Sequence, residues 1–87
     1  MSNTVEVELT QYEINLLLEY AYPFDEEKEQ LLQYKDMRGV HTIKIDCYYL
    51  PLLIGDLVYS AKKINSEKIL NEFDMLCVLL ENAENNI

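Results

Sequence analysis

Glycine and proline are nearly missing from this chain, with two of each in 87 residues. Few loops can use left-handed or fixed backbone angles, so the chain should be mostly regular structure, helix above all. The same shortage removes the glycine-rich turns that cradle phosphates, and with them the common nucleotide-binding motifs. Histidine occurs once, as His41, with no serine or cysteine at a nucleophile motif beside it. That is too little for general-base or nucleophilic chemistry, and we expect no enzyme. The two cysteines, Cys47 and Cys77, lack zinc spacing and are too few for a disulfide framework. They read as small buried hydrophobes in a reducing compartment. The acidic run Asp25–Glu29 lacks the alternating pattern of a calcium loop and reads as a solvated face matched to the positive end of a helix dipole. Neither a metal nor a cofactor is expected.

Positive charge is also scarce. Seven Lys and Arg face sixteen Asp and Glu, a net charge of −9. Such a surface repels nucleic-acid phosphates and anionic membranes, and favours basic protein partners. The basic residues are scattered apart from Lys62–Lys63, so direct nucleic-acid binding is not expected. The longest apolar runs, Tyr48–Ile54 and Met75–Leu80, are too short to span a bilayer. No apolar run follows a basic start, so the expectation is a cytoplasmic protein without a signal peptide.

What the chain does have is periodicity. Val5, Val7 and Leu9 alternate with Glu6 and Glu8, a strand with one wet face. Thr10 and Glu13 then form a capping box, which starts a helix at about Gln11. Its core stripe is Ile14, Leu17, Leu18 and Ala21, flanked by Leu16 and Tyr20. Pro23 ends it, and Asp25 is placed to cap a short helix over about Glu26–Asp36, stopped by Gly39. A second strand covers Val40–Ile45, with His41, Ile43 and Ile45 inward. Asp46 can cap the next segment. Pro51 is compatible with a helix only if that helix begins near Tyr49 or Leu50, after an irregular turn. That helix should reach about Ile64, with Asn65 and Ser66 breaking it and capping the last one, about Glu67–Ala83.

Offset by 36 residues, Val7–Tyr22 aligns with Ile43–Val58 in its whole apolar pattern, although only three of sixteen positions are identical. Residues 5–38 and 40–83 therefore read as two strand–helix–helix units, with polar tails at 1–4 and 84–87. The expected fold is a single α+β domain, mostly helical. Two repeats related by a pseudo-twofold axis share a short two-stranded antiparallel sheet, packed by about four helices. Glu6 and Glu8 would then lie across from Lys44 and Thr42 on the wet face.

Seven tyrosines with no tryptophan is the unusual count. Tyrosine at a stripe edge commonly roofs a core, but it is also enriched at interfaces. Tyr20, Tyr22, Phe24, Asp25, Glu26, Glu27 and Glu29 form one aromatic and acidic stretch, the expected site for a basic partner. Six consecutive apolar residues, Met75–Leu80, would cover a helix all round and are hard to bury in one small chain. Met75, Val78 and Leu79 are the expected dimer surface, together with Gly55, where a helix or a second chain can approach closely. The function expected is a small acidic protein-interaction module, a regulator or adaptor acting as a homodimer. The alternative is an acidic inhibitor or immunity-type protein that binds a basic, nucleic-acid-acting partner.

Overall fold

In the computed structural model, which describes residues 3–85, the order of elements is strand, two helices, strand, two helices. They are β1 (Thr4–Thr10), α1 (Gln11–Tyr20), α2 (Asp25–Tyr34), β2 (Val40–Asp46), α3 (Leu50–Ala61) and α4 (Glu67–Asn85). The strands form one antiparallel pair, in a register that sets Val5 opposite Ile45, Val7 opposite Ile43 and Leu9 opposite His41. Those side chains face the helices. On the other face Glu6 lies opposite Lys44 and Glu8 opposite Thr42, as the alternation requires. A two-stranded sheet is marginal alone. Here its inner face is closed by Ile14, Leu16, Leu17, Leu31, Leu50, Leu53, Leu57, Phe73, Leu76 and Leu80, all buried in one cluster with Val7, Leu9, Ile43 and Ile45.

The start of α1 follows from its cap. The Glu13 N–H donates to Thr10 Oγ1 at 3.2 Å, and the Thr10 N–H donates to Glu13 Oε1 at 2.9 Å. Pro51 delays α3 to Leu50. Before it, Asp46 accepts from Tyr48 N–H through its side chain (2.8 Å) and from Tyr49 N–H through its carbonyl (2.9 Å). The turn at Cys47–Tyr49 is thus closed by the residue that ends β2. Ser66 caps α4, with Oγ accepting from Ile69 N–H at 3.4 Å.

Several boundaries differ from the sequence reading. Asp25 does not cap α2; it is the first helical residue, and Phe24 holds the cap position with no side-chain bond. Phe24 is fixed there by its ring, which stacks on Tyr49 at 3.9 Å between centroids. Helix α2 ends at Tyr34, short of Gly39. Gly39, at φ +99°, instead turns the chain into β2, a conformation that favours glycine. The end of α2 is served by α1, since Gln11 Nε2 and Asn15 Nδ2 both donate to Lys35 O, at 3.1 and 3.0 Å. Helix α3 stops at Ala61 because Lys62, Lys63 and Ile64 bond three residues back, which tightens the last turn. Neither expected tail stands as drawn. Thr4 belongs to β1, Asn3 O accepts from Cys47 N–H at 2.9 Å, and α4 runs through Glu84 and Asn85. Residues 1–2 and 86–87 lie outside the described part.

Helix α2 packs on β2 and α4 on β1, while α1 and α3 meet across the middle. No helix among the described residues is long and apolar enough to cross a membrane. Of the run Met75–Leu80, Leu76 and Leu80 are buried, Cys77 and Leu79 are half-buried against the core, and Met75 (71%) and Val78 (54%) remain exposed.

Gly55 is not a point of close approach within the chain, because a Cβ placed there would have nothing within 4 Å. An open mid-helix glycine costs helix stability without packing in return. Gly55→Ala should therefore raise stability by about 1 kcal/mol in urea unfolding. A loss of stability, or a change in oligomeric state, would mean that a second chain does seat on this position.

Candidate functional site

The aromatic and acidic stretch from Tyr20 to Glu29 spans the corner between α1 and α2, and folding divides it. Tyr20 is half-buried, with its ring edge-on to Phe73 at 5.0 Å. The corner is pinned to α3 by two bonds, Ser60 Oγ to Tyr20 O (2.7 Å) and Tyr22 N–H to Asp56 Oδ2 (3.0 Å). The Tyr22 ring is 77% exposed. Tyr20 and Tyr22 line a shallow cleft of about 260 Å³ with Glu19, Tyr59 and Lys63, whose Nζ sits 4.5 Å from the Tyr59 ring centre.

Phe24, Asp25, Glu26 and Glu27 turn the other way. They line a cleft of about 350 Å³ together with Asp46 and Tyr49. Four carboxylates and the stacked Phe24–Tyr49 pair share this space, and no Lys or Arg lines it. Glu29 is exposed on α2 and does not take part. Asp46 and Tyr49 were not foreseen as site residues. Asp46 reads as a cap from sequence; it closes the Cys47–Tyr49 turn instead, Tyr49 holding the α3 cap position without a side-chain bond, and its carboxylate lines the cleft beside the first turn of α2.

Glu27 overturns the expectation of a wholly solvated acidic face. It is buried at 3% exposure. Its Oε1 accepts from the Asp46 N–H at 3.3 Å, and its Oε2 is shut off from solvent with no partner among the described residues. An acceptor left unpaired in this way costs roughly 1–3 kcal/mol, more when it is charged. One turn on, Gln30 shows how the same task is done without that cost. Its Oε1 accepts from Lys44 N–H at 2.9 Å, and its Nε2 donates to Lys44 O at 2.7 Å.

The remaining candidates have structural surroundings. The His41 ring stacks on Tyr34 at 4.5 Å, and its Nε2 lies 3.0 Å from Met37 O. Cys47 and Cys77 are free thiols. Burial, helped by Glu81 and Asp74, pushes the Cys77 thiol up, away from the reactive thiolate. Among the described residues no group of three or more His, Cys, Asp or Glu is arranged to hold a metal ion. Of the residues expected at a dimer surface, Met75 lines a mostly apolar groove of about 220 Å³ with Tyr12 and Leu16, and Val78 is exposed one turn on. Gly55 is exposed on α3, and Leu79 is partly taken up by the core.

At the rim of that groove the Tyr12 hydroxyl donates to Glu72, tying α1 to α4. The bond to a carboxylate pushes the Tyr12 pKa up, since ionising the phenol breaks it. A folded-state value raised in this way gives a contribution complete below the ordinary tyrosine value of about 10 and lost as pH rises through the folded-state value. The wild-type protein should therefore melt above Tyr12→Phe at neutral pH, with the gap closing only in the alkaline range. A gap that is independent of pH would rule out the Glu72 bond as its source.

Comparison of the chain with protein-family models, with curated proteins and with solved structures finds no match.

Proposed function

We propose that this protein is a small, non-enzymatic protein-interaction module, a cytoplasmic regulator or adaptor that binds a basic segment of a partner protein. The observation that carries the reading is the convergence of Asp25, Glu26, Glu27 and Asp46 on one cleft with an aromatic wall. Carboxylates from two distant parts of the chain are brought together there, and no Lys or Arg lines the cleft among the described residues. Burying or pairing them needs positive charge from outside, and aromatic groups beside them suit a basic side chain.

Two further parts belong to the same proposal. The strand–helix–helix units are repeats about a pseudo-twofold axis. In support, α2 packs on β2 as α4 packs on β1, and Val7, Leu9, Ile14 and Leu17 are buried along with Ile43, Ile45, Leu50 and Leu53, their counterparts at an offset of 36. The working form is a homodimer, supported by the exposed apolar side chains Met75 and Val78 beside the Tyr12 groove. Sedimentation at high micromolar concentration should find a dimer, and Met75→Asp with Val78→Asp should give folded monomers. A monomeric wild-type protein removes this part.

In a second reading the basic partner is a nucleic-acid-acting protein held off its substrate, with the clustered carboxylates standing where phosphates would bind. The favouring observation is the same cluster within a chain of net charge −9.

The partner reading is tested by capture from the native host, with the bound protein identified by mass spectrometry. The expected partner is basic and is released by raising salt from 0.1 to 0.5 M, where screening shortens to roughly 4 Å. The variant Asp25→Asn, Glu26→Gln, Asp46→Asn should not capture it; asparagine at 46 keeps an acceptor for Tyr48 N–H, so the turn survives. Capture that is indifferent to salt and to this variant would refute the proposal. If nucleic acid competes for the captured partner, the inhibitor reading is favoured over the adaptor reading.

A further inference from the structure

We propose that the cleft between the start of α2 and the Asp46–Tyr49 turn is a guanidinium pocket, in which Glu27 anchors an arginine side chain of the partner. This rests on the partner reading above and names the group that the site takes.

Glu27 and Gln30 stand in contrast on one helix. Both sit on the face of α2 that covers the outer edge of β2, three residues apart. Gln30 bonds one N–H and one C=O of Lys44 and has both of its polar atoms satisfied. Glu27 bonds one N–H, that of Asp46, and keeps Oε2 unpartnered at 3% exposure. A glutamine at 27 could accept the Asp46 N–H through its own Oε1, so covering the strand does not by itself require a carboxylate there. The carboxylate brings a negative charge and a spare acceptor to the wall of a cleft already lined by Asp25, Glu26 and Asp46. The positive end of the α2 dipole, worth about half a charge, offsets only part of that.

Two observations narrow the cation. The carboxylates are spread around about 350 Å³, and among the described residues no three metal-ligating side chains converge on a point. That spacing suits a large, delocalised cation, not a bare divalent ion. The wall includes the Phe24–Tyr49 pair, stacked with rings 19° from parallel, so aromatic surface lies beside the carboxylates. A guanidinium is planar, stacks on aromatic faces and donates in a fork that several carboxylate oxygens can share.

The test is a titration of isotope-labelled protein with N-acetyl-arginine amide, followed through amide shifts. The neutral citrulline analogue and the lysine analogue serve as controls. The expected result is a saturable response centred on Glu27, Asp46 and Tyr49, no response to citrulline and a weaker one to lysine. Glu27→Gln should lower arginine affinity by about tenfold, the loss of one charge-assisted bond. Glu29→Gln, on the same helix but outside the cleft, should leave it unchanged. Should Glu27→Gln fail to fold, Glu26→Gln on the exposed rim is the second variant and should weaken binding in the same direction.

An equal response to citrulline, an equal response to lysine, or indifference to both cleft variants overturns the guanidinium assignment. Failure of the titration while a basic partner is still captured in a salt-sensitive way would sink this pocket and spare the partner reading. A titration that succeeds where no basic partner is captured would do the reverse.

Discussion

The edge of a two-stranded sheet presents unpaired N–H and C=O groups, and how the outer edge of β2 is closed constrains much of this structure. The Lys44 backbone groups and the Asp46 N–H point away from β1 and are met by side chains from α2. Gln30 and Glu27 take the place of a third strand. The pairing order, 27 with 46 and 30 with 44, makes α2 run antiparallel to β2. It also brings the start of α2 against the turn that opens α3, which is where the acidic cleft forms.

The geometry of that pairing explains why one of the two side chains is poorly served. Three residues of helix advance about 4.5 Å, whereas two residues of strand advance about 6.6 Å. The side chains absorb a mismatch of about 2 Å between them. Gln30 takes the good position, with bonds of 2.7 and 2.9 Å, and Glu27 reaches Asp46 at 3.3 Å with one oxygen to spare. Meanwhile Phe24 is clamped on Tyr49, which fixes where α2 begins and holds Asp25 and Glu26 on the same side as Asp46. The cleft thus follows from closing a strand edge with a helix of a different rise.

Much of the scaffold was legible in the sequence because its signals are local. Period-two alternation marked both strands with their inward residues, the Thr10–Glu13 box marked the start of α1 and Pro51 the start of α3. The partition of the site was not legible, because it depends on contacts distant in sequence. Asp25–Glu29 reads as a solvated charge run, and nothing nearby reveals that Glu27 will be buried by a backbone N–H nineteen residues on. Tyr20 and Phe24 look like neighbours in one patch, yet Phe73 claims one ring and Tyr49 the other. Gly39 reads as the end of α2 for a related reason. Its left-handed angle is real, but α2 ends earlier because Gln11 and Asn15 of α1 supply the bonds that a glycine cap would have provided.

The same logic separates the two halves of the chain. If the units are repeats, the counterparts of Glu27 and Gln30 at an offset of 38 or 39 are Asn65 or Ser66 and Lys68 or Ile69. Ser66 is committed to the cap of α4, and Ile69 packs on the core. Neither is left to cover β1 as α2 covers β2. In an antiparallel pair, opposed residues point their backbone groups both inward or both outward. Glu6, opposite Lys44, therefore directs its N–H and C=O to the far edge of the sheet. The outward side chains at that edge are Glu6 and Glu8, and charge on an exposed edge strand discourages pairing with another strand. One edge is closed by α2 and carries the acidic cleft; the other is guarded by charge. An association of two copies would then be expected through helices, where Met75 and Val78 are exposed, and not through the sheet.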